Sequence, residues 1–115
     1  MTRRLVKIFI DDLRVPADPD WYVARTVDGA TELTERFRNQ RMWISFDHDL
    51  GGDATTRTVV NRMCAAGIRP AAASIHSANP VGRQWLEAAL ERDFGRVPVP
   101  MWPAPAYHDR ATPED

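Results

Sequence analysis

The sequence predicts a small α/β fold built on a mainly parallel, open sheet flanked by helices. Three observations predict it. Short apolar runs alternate with helix-patterned stretches after Trp21, the pattern of strands joined by helical crossovers. The first run, Leu5-Val6-Lys7-Ile8-Phe9-Ile10, is almost continuously hydrophobic, which suits a strand covered on both faces. Several runs end abruptly in polar residues, as strands do where they open onto a ligand crevice.

After the first strand, Leu13 to Asp20 carries Pro16, Asp18, Pro19 and Asp20 and reads as a loop. That connection is too short for a full helix. Trp21 to Val27 is aromatic and β-branched and predicts a second strand. A helix follows from Ala30 to Asn39, with Ala30, Leu33 and Phe37 at helical spacing and Thr26 or Asp28 as its cap. Met42 to Phe46 predicts a third strand, and Leu50 to Asp53 a flexible loop. Thr55 to Ala66 predicts a helix stopped by Gly67. Ala71 to Ile75 is a fourth strand, weak in propensity because of its alanines. Asn79 as cap and Pro80 as first helical residue open a last helix that runs to about Phe94. From Arg96 the character changes, since five of the nine prolines lie at 98, 100, 103, 105 and 113. Residues 1–95 are expected to form the α/β domain. Residues 96–115 form a proline-rich tail, extended or polyproline-like, with Met101, Trp102 and Tyr107 available to dock on the body.

A chain of 115 residues has the size of one domain. Its 15 basic and 16 acidic residues leave a net charge of −1, which argues against holding DNA or RNA by bulk electrostatics. Fourteen of the 15 basic residues are arginine; their spread along the chain reads as a coding bias more than as phosphate recognition. No apolar run approaches the ~20 residues of a membrane span, and the start shows no signal-peptide pattern. Cys64 is the single cysteine, so no internal disulfide or cysteine metal cluster is expected. The expected setting is the cytoplasm.

The strand ends carry the chemistry. Asp11-Asp12 closes the first strand, Asp47-His48-Asp49 the third, and His76-Ser77 with Asn79 the fourth. If these strands are neighbours, four carboxylates and two imidazoles converge. Adjacent carboxylates repel, and a divalent cation relieves that repulsion; oxygen-only ligation favours Mg²⁺ or Mn²⁺. Asp11, Asp12 and Asp47 are the expected metal ligands. Alternation along a strand places Asp47 and Asp49 on one side and His48 on the other, unless the strand has already ended. His48 suits proton transfer, metal ligation or a purely structural hydrogen bond. Ser77 suits a phosphoryl oxygen, Asn79 a helix cap or a ligand contact, and Arg14 a phosphate clamp. The helix N-terminus after Asn79 suits an anion. Cys64 reads as inert core.

The acidic pair, the Asp closing the third strand and the small hydroxyl residue closing the fourth resemble the response-regulator receiver domain, over about residues 5 to 94. Ala24-Arg25-Thr26-Val27-Asp28-Gly29-Ala30 is also similar to the receiver segment leading into its second helix. The resemblance implies a receiver-like, flavodoxin-like sheet, here reduced: the first receiver helix and a typical fifth strand with its lysine are missing. It also implies Mg²⁺ on the acidic pair and a phosphoacceptor at Asp47, with Asp49 the alternative alignment. A closer resemblance is to the cyclic-phosphate processing receiver domain family. It rests on Asp11-Asp12-Leu13-Arg14-Val15-Pro16, on Asp47-His48-Asp49-Leu50-Gly51, and on His76-Ser77-Ala78-Asn79-Pro80-Val81-Gly82.

That resemblance implies a metal-dependent phosphoesterase acting on cyclic phosphates or cyclic nucleotides, RNA 2′,3′-cyclic ends included. The expected roles are cation binding by Asp11, Asp12 and Asp47 and proton transfer by His48 or His76. Asp49 would orient a histidine, and Arg14, Ser77 and Asn79 would hold phosphate oxygens. The rival expectations are a non-catalytic module that binds a nucleotide or a protein through the same crevice, and a phosphoacceptor in signalling.

Overall fold

A computed structural model describes residues 4–94 and 97–109. The expectations placed on residues 1–3 and on Pro113 fall outside them. Strands β1 (Leu5–Ile10), β3 (Tyr22–Ala24), β4 (Arg41–Phe46) and β5 (Ala72–Ile75) form one sheet in the order β3-β1-β4-β5. Every pairing in it is parallel. Helix α1 (Val27–Arg36) joins β3 to β4, α2 (Thr56–Ala66) joins β4 to β5, and α3 (Pro80–Arg92) follows β5. A reduced, receiver-like α/β sheet is therefore what forms. Two short strands, β2 (Val15–Pro16) and β6 (Tyr107–His108), pair antiparallel beside it.

Alternation along the strands assigns the two faces. Val6, Ile8 and Ile10, Met42, Ile44 and Phe46, and Ala73 and Ile75 belong to one core cluster with Val59, Val60 and Met63 of α2 and Leu86, Ala89 and Leu90 of α3. The opposite face carries Phe9, Trp43, Ser45 and Ser74. With no helix between β1 and β3, aromatic side chains cover this face. Trp21 packs edge-on to Phe9 and to Trp43, and Trp102 packs edge-on to Trp43 from the other side.

The helix starts are set by capping. Thr26 accepts from the amide of Gly29, so α1 begins three residues before Ala30, and the second strand stops at Ala24 rather than Val27. Thr55 caps α2 instead of belonging to it, and Gly67 closes that helix at φ 72°, a left-handed conformation that glycine adopts without a steric penalty. Asn79 caps α3, and Pro80 is its first residue.

The alanine-rich β5 forms because both its edges are paired. β4 lies on one side. On the other, the Ala73 amide donates to Pro100 O, and the Trp102 amide donates to Ala73 O. Met101 makes a single parallel bridge to Ala73, and Val99 is buried. The proline-rich segment thus runs along the edge where a fifth strand would lie, without building a regular one. None of the helices among the described residues is long and apolar enough to cross a membrane.

Candidate metal and phosphate site

The backbone ladder continues one residue past the central strands. The Asp11 amide donates to Ala24 O, the Asp47 amide to Ile10 O and the His76 amide to Phe46 O. Asp11, Asp47 and His76 therefore leave the sheet side by side at its carboxyl end, on the face of Phe9, Ser45 and Ser74. This is where open α/β sheets bind ligands.

Asp11 is buried and heavily bonded. Its Oδ1 accepts from the amides of Leu13 and Arg14 at 2.8 Å each, and its Oδ2 lies 3.0 Å from His76 Nε2. Burial pushes its pKa up, but the hydrogen bond from His76 and the two amides outweigh burial and hold it at about 2. Asp11 is ionised, so the proton on this bond belongs to His76 Nε2. His76 Nδ1 lies 2.7 Å from Ser45 Oγ. Its ring stacks on Phe9 at 4.3 Å, 10° from parallel.

Asp47 responds in the opposite sense. Burial and the neighbouring charge of Asp11 raise its pKa, against weaker opposing pulls from His76, Arg14 and its bond to the His48 amide. Asp11, Asp12 and Asp47 each offer an oxygen, and these atoms all lie within 4.8 Å of one another. Arg14 Nη1 stands 3.6 Å from Asp11 and 3.8 Å from Asp47. Among the described residues it is the one guanidinium lining a pocket of about 200 Å³ that also takes in Asp12, Leu13 and Asp109. Arg25 supports the loop from beneath, donating to the carbonyls of Asp11 and Arg14. An all-carboxylate donor set, with Asp47 strained electrostatically by its neighbour, fits a hard divalent cation.

His48 sits elsewhere. The strand has ended at Phe46, and His48 turns to the helix side of the sheet. There Arg57 Nε donates to its Nε2 at 2.8 Å, and its Nδ1 meets Asp49 Oδ1 at 2.8 Å. Because Arg57 is the donor, Nε2 must be the lone-pair nitrogen and Nδ1 carries the proton. Because the strand has ended, alternation no longer applies: Asp49 bridges Thr55 and leaves the side of Asp47. Its pKa is lowered by the bonds from His48 and from Asn79 Nδ2, the latter 3.1 Å long. Arg57 lies over the Trp85 ring.

Asn79 therefore spends its Oδ1 on the amides of Val81 and Gly82 and its Nδ2 on Asp49. Ser77 Oγ accepts from the Asn79 amide. A Cβ on Gly82 would come within 2.2 Å of His48 Cγ, so only glycine lets α3 pack against that ring. Of the nine residues singled out in the sequence, Asp11, Asp12, Asp47 and Arg14 line the acidic pocket. His76 stands behind Asp11 with its side chain closed to solvent. His48, Asp49 and Asn79 form a separate cluster that links two of the sequence motifs.

Sequence reasoning missed Ser45, Arg57, Tyr107 and Asp109. Tyr107 lies 5.4 Å under the Arg14 guanidinium and 5.5 Å from the His76 ring, and Asp109 lines the acidic pocket. Both reach the site only because β6 pairs with β2, and no local pattern announces that pairing. Ser45 alternates with Phe46 on a strand whose next same-face residue is Asp47. A polar residue in an otherwise apolar run was the one available signal.

Against curated proteins and against solved structures, the chain finds no match. A family model described as the cyclic-phosphate processing receiver domain matches residues 6–92. That span contains all three motifs and every carboxylate of the acidic cluster except Asp109. The chain belongs to the cyclic-phosphate processing receiver domain family.

Proposed function

We propose that the chain is a metal-dependent phosphoesterase that opens cyclic phosphates to phosphomonoesters. The observation that carries this reading is the cluster of Asp11, Asp12 and Asp47, with ligand oxygens within 4.8 Å of one another, beside the Arg14 guanidinium at the ends of β1 and β4. Asp11, Asp12 and Asp47 would hold Mg²⁺ or Mn²⁺. Bound there, such a cation polarises a phosphoryl group and lowers the pKa of water. In the net reaction a water oxygen bonds to phosphorus and one ring P–O bond breaks. One proton of that water ends on the freed hydroxyl.

Arg14 binds the non-bridging phosphate oxygens, its planar fork matching their geometry. Ser77, at the edge of the crevice, is a second phosphate contact, and Asn79 sets the loop that carries it. His76 acts through Asp11, keeping it ionised and oriented in the way hydrogen-bonded partners hold metal-binding carboxylates. Asp49 orients His48, and that pair serves proton transfer only if Arg57 releases Nε2. The substrate is a small phosphate ester or cyclic nucleotide, RNA 2′,3′-cyclic ends included, handled in the cytoplasm.

One observation favours a second reading, a non-catalytic binding module. Both ring nitrogens of His48 and of His76 are engaged within the fold, so neither histidine offers a free nitrogen to a substrate. A turnover screen separates the two. Nucleoside 2′,3′-cyclic phosphates and 3′,5′-cyclic nucleotides are incubated with Mg²⁺, Mn²⁺ or EDTA, alongside Asp47→Asn. Ring opening that needs the cation and disappears in the variant supports the phosphoesterase. A folded protein that binds cation and cyclic phosphate yet turns over nothing supports the binding module.

A further inference from the structure

The acidic pocket has a neighbour, which the third motif touches only at His76 and Ser77. A cleft of about 440 Å³ opens between α3 and the C-terminal segment, over the end of β5, and Ser77, Arg83, Glu87, Met101, Trp102 and Tyr107 border it. Its volume falls in the range of small-molecule sites. Met101, Trp102 and Tyr107 are 47%, 37% and 38% exposed, so three large apolar side chains stay open to solvent around one concavity. Exposed apolar side chains gathered round one concavity are a feature of ligand-binding grooves. Polar groups rim the opposite wall. Arg83 Nη1 donates to Ile75 O at 2.8 Å, which holds the guanidinium against the sheet end with its remaining N–H groups free to donate. Glu87, one turn along α3, adds a carboxylate that only accepts.

The two concavities share a wall. Tyr107 borders the cleft, and its ring lies 5.4 Å from the Arg14 guanidinium that lines the acidic pocket. Two residues on, Asp109 lines the acidic pocket itself. A ligand whose phosphate rests on Arg14 thus has an aromatic-walled space within reach on the far side of Tyr107.

We propose that this cleft is a nucleobase site. The heterocycle stacks on Trp102 and Tyr107, while Arg83 and Glu87 meet the acceptors and N–H donors on its edge. Flat aromatic faces bind bases in this way with little dependence on sequence, and a carboxylate beside a guanidinium supplies both hydrogen-bond polarities. The phosphoesterase reading places the phosphate; the cleft adds that the substrate class is a nucleoside cyclic phosphate rather than a base-free sugar phosphate. Recognition of the base does not depend on turnover.

Calorimetry on the full chain, with Mg²⁺ present, compares adenosine 2′,3′-cyclic phosphate with methyl riboside 2,3-cyclic phosphate, which lacks the base. The base-bearing ligand is expected to bind about tenfold more tightly or better. Trp102→Ala and, separately, Glu87→Ala should shrink that preference while leaving the affinity for the methyl riboside unchanged. Trp102 packs on Trp43, whereas Glu87 is exposed on α3, so the glutamate variant serves even if the tryptophan variant unfolds. Equal affinity for the two ligands, no binding of either, or a preference untouched by Glu87→Ala overturns the base site. A preference that persists with no hydrolysis of either ligand keeps the base site and overturns the phosphoesterase.

Discussion

His76 Nε2 donates to Asp11 Oδ2 across 3.0 Å, with both side chains closed to solvent. The two residues are 65 positions apart and belong to non-adjacent strands, with β4 between them. Burial raises the pKa of Asp11, and this bond, with the amides of Leu13 and Arg14, outweighs burial and holds the carboxyl at about 2. A hydrogen-bonded partner of this kind tunes a metal ligand as well as orienting it.

His76→Gln keeps a donor near Asp11 but loses the stack on Phe9 and the bond to Ser45. Cation affinity, followed by Mn²⁺ titration, is expected to fall roughly 10–100-fold. Stability falls by about 1–3 kcal/mol, the cost of leaving the buried Ser45 hydroxyl without its partner. An unchanged Mn²⁺ affinity would remove His76 from the site.

Asp47→Asn has opposite effects with and without cation. Burial and the neighbouring charge of Asp11 disfavour the ionised form of Asp47, so the neutral amide relieves the cation-free protein. Its Tm should rise above that of the parent chain. The parent should be stabilised by about 2.7 kcal/mol when free Mn²⁺ exceeds its Kd by 100-fold, and the variant should lose most of that gain. Thermal scans with Mn²⁺ and with EDTA read both effects.

Gly82→Ala tests the contact between two motifs. In an open helix the exchange gains about 1 kcal/mol. Here the new methyl meets the His48 ring at 2.2 Å, and the ring is tethered at both nitrogens by Arg57 and Asp49. Overpacking should win, with a net loss of about 1–3 kcal/mol by urea unfolding.

Val99→Ala tests whether the C-terminal segment is part of the domain. Val99 is buried within the core cluster, and truncation is expected to cost on the order of 1.5–3 kcal/mol. A chain ending at Arg96 should lower the urea midpoint further, because it also bares the Ala73 edge and the aromatic face under Trp102.

The polar strand ends and the α/β alternation were legible because they are local. Asp11, Asp47 and His76 each follow an apolar run, and a parallel sheet delivers such residues to one end. Asn79-Pro80 announced a helix start for the same reason, since a cap acts within three residues. Which side Asp49 takes depended on whether the strand continued past Phe46; it ends there, and the bridge to Thr55 then carries Asp49 away from Asp47.

The parallel sheet and the family could be read from short-range periodicity and contiguous motifs, and the acidic cluster followed once β1 and β4 were neighbours. The parting of the two histidines, His76 to Asp11 and His48 to the helix side, emerged from long-range packing alone. The tertiary structure also decided that the tail joins the body, bringing Tyr107 and Asp109 beside Arg14. Both outcomes rest on contacts between residues far apart in the chain. Pairing across such distances is set by which buried surfaces and hydrogen-bond partners remain free once the sheet has formed, and no local window contains that information.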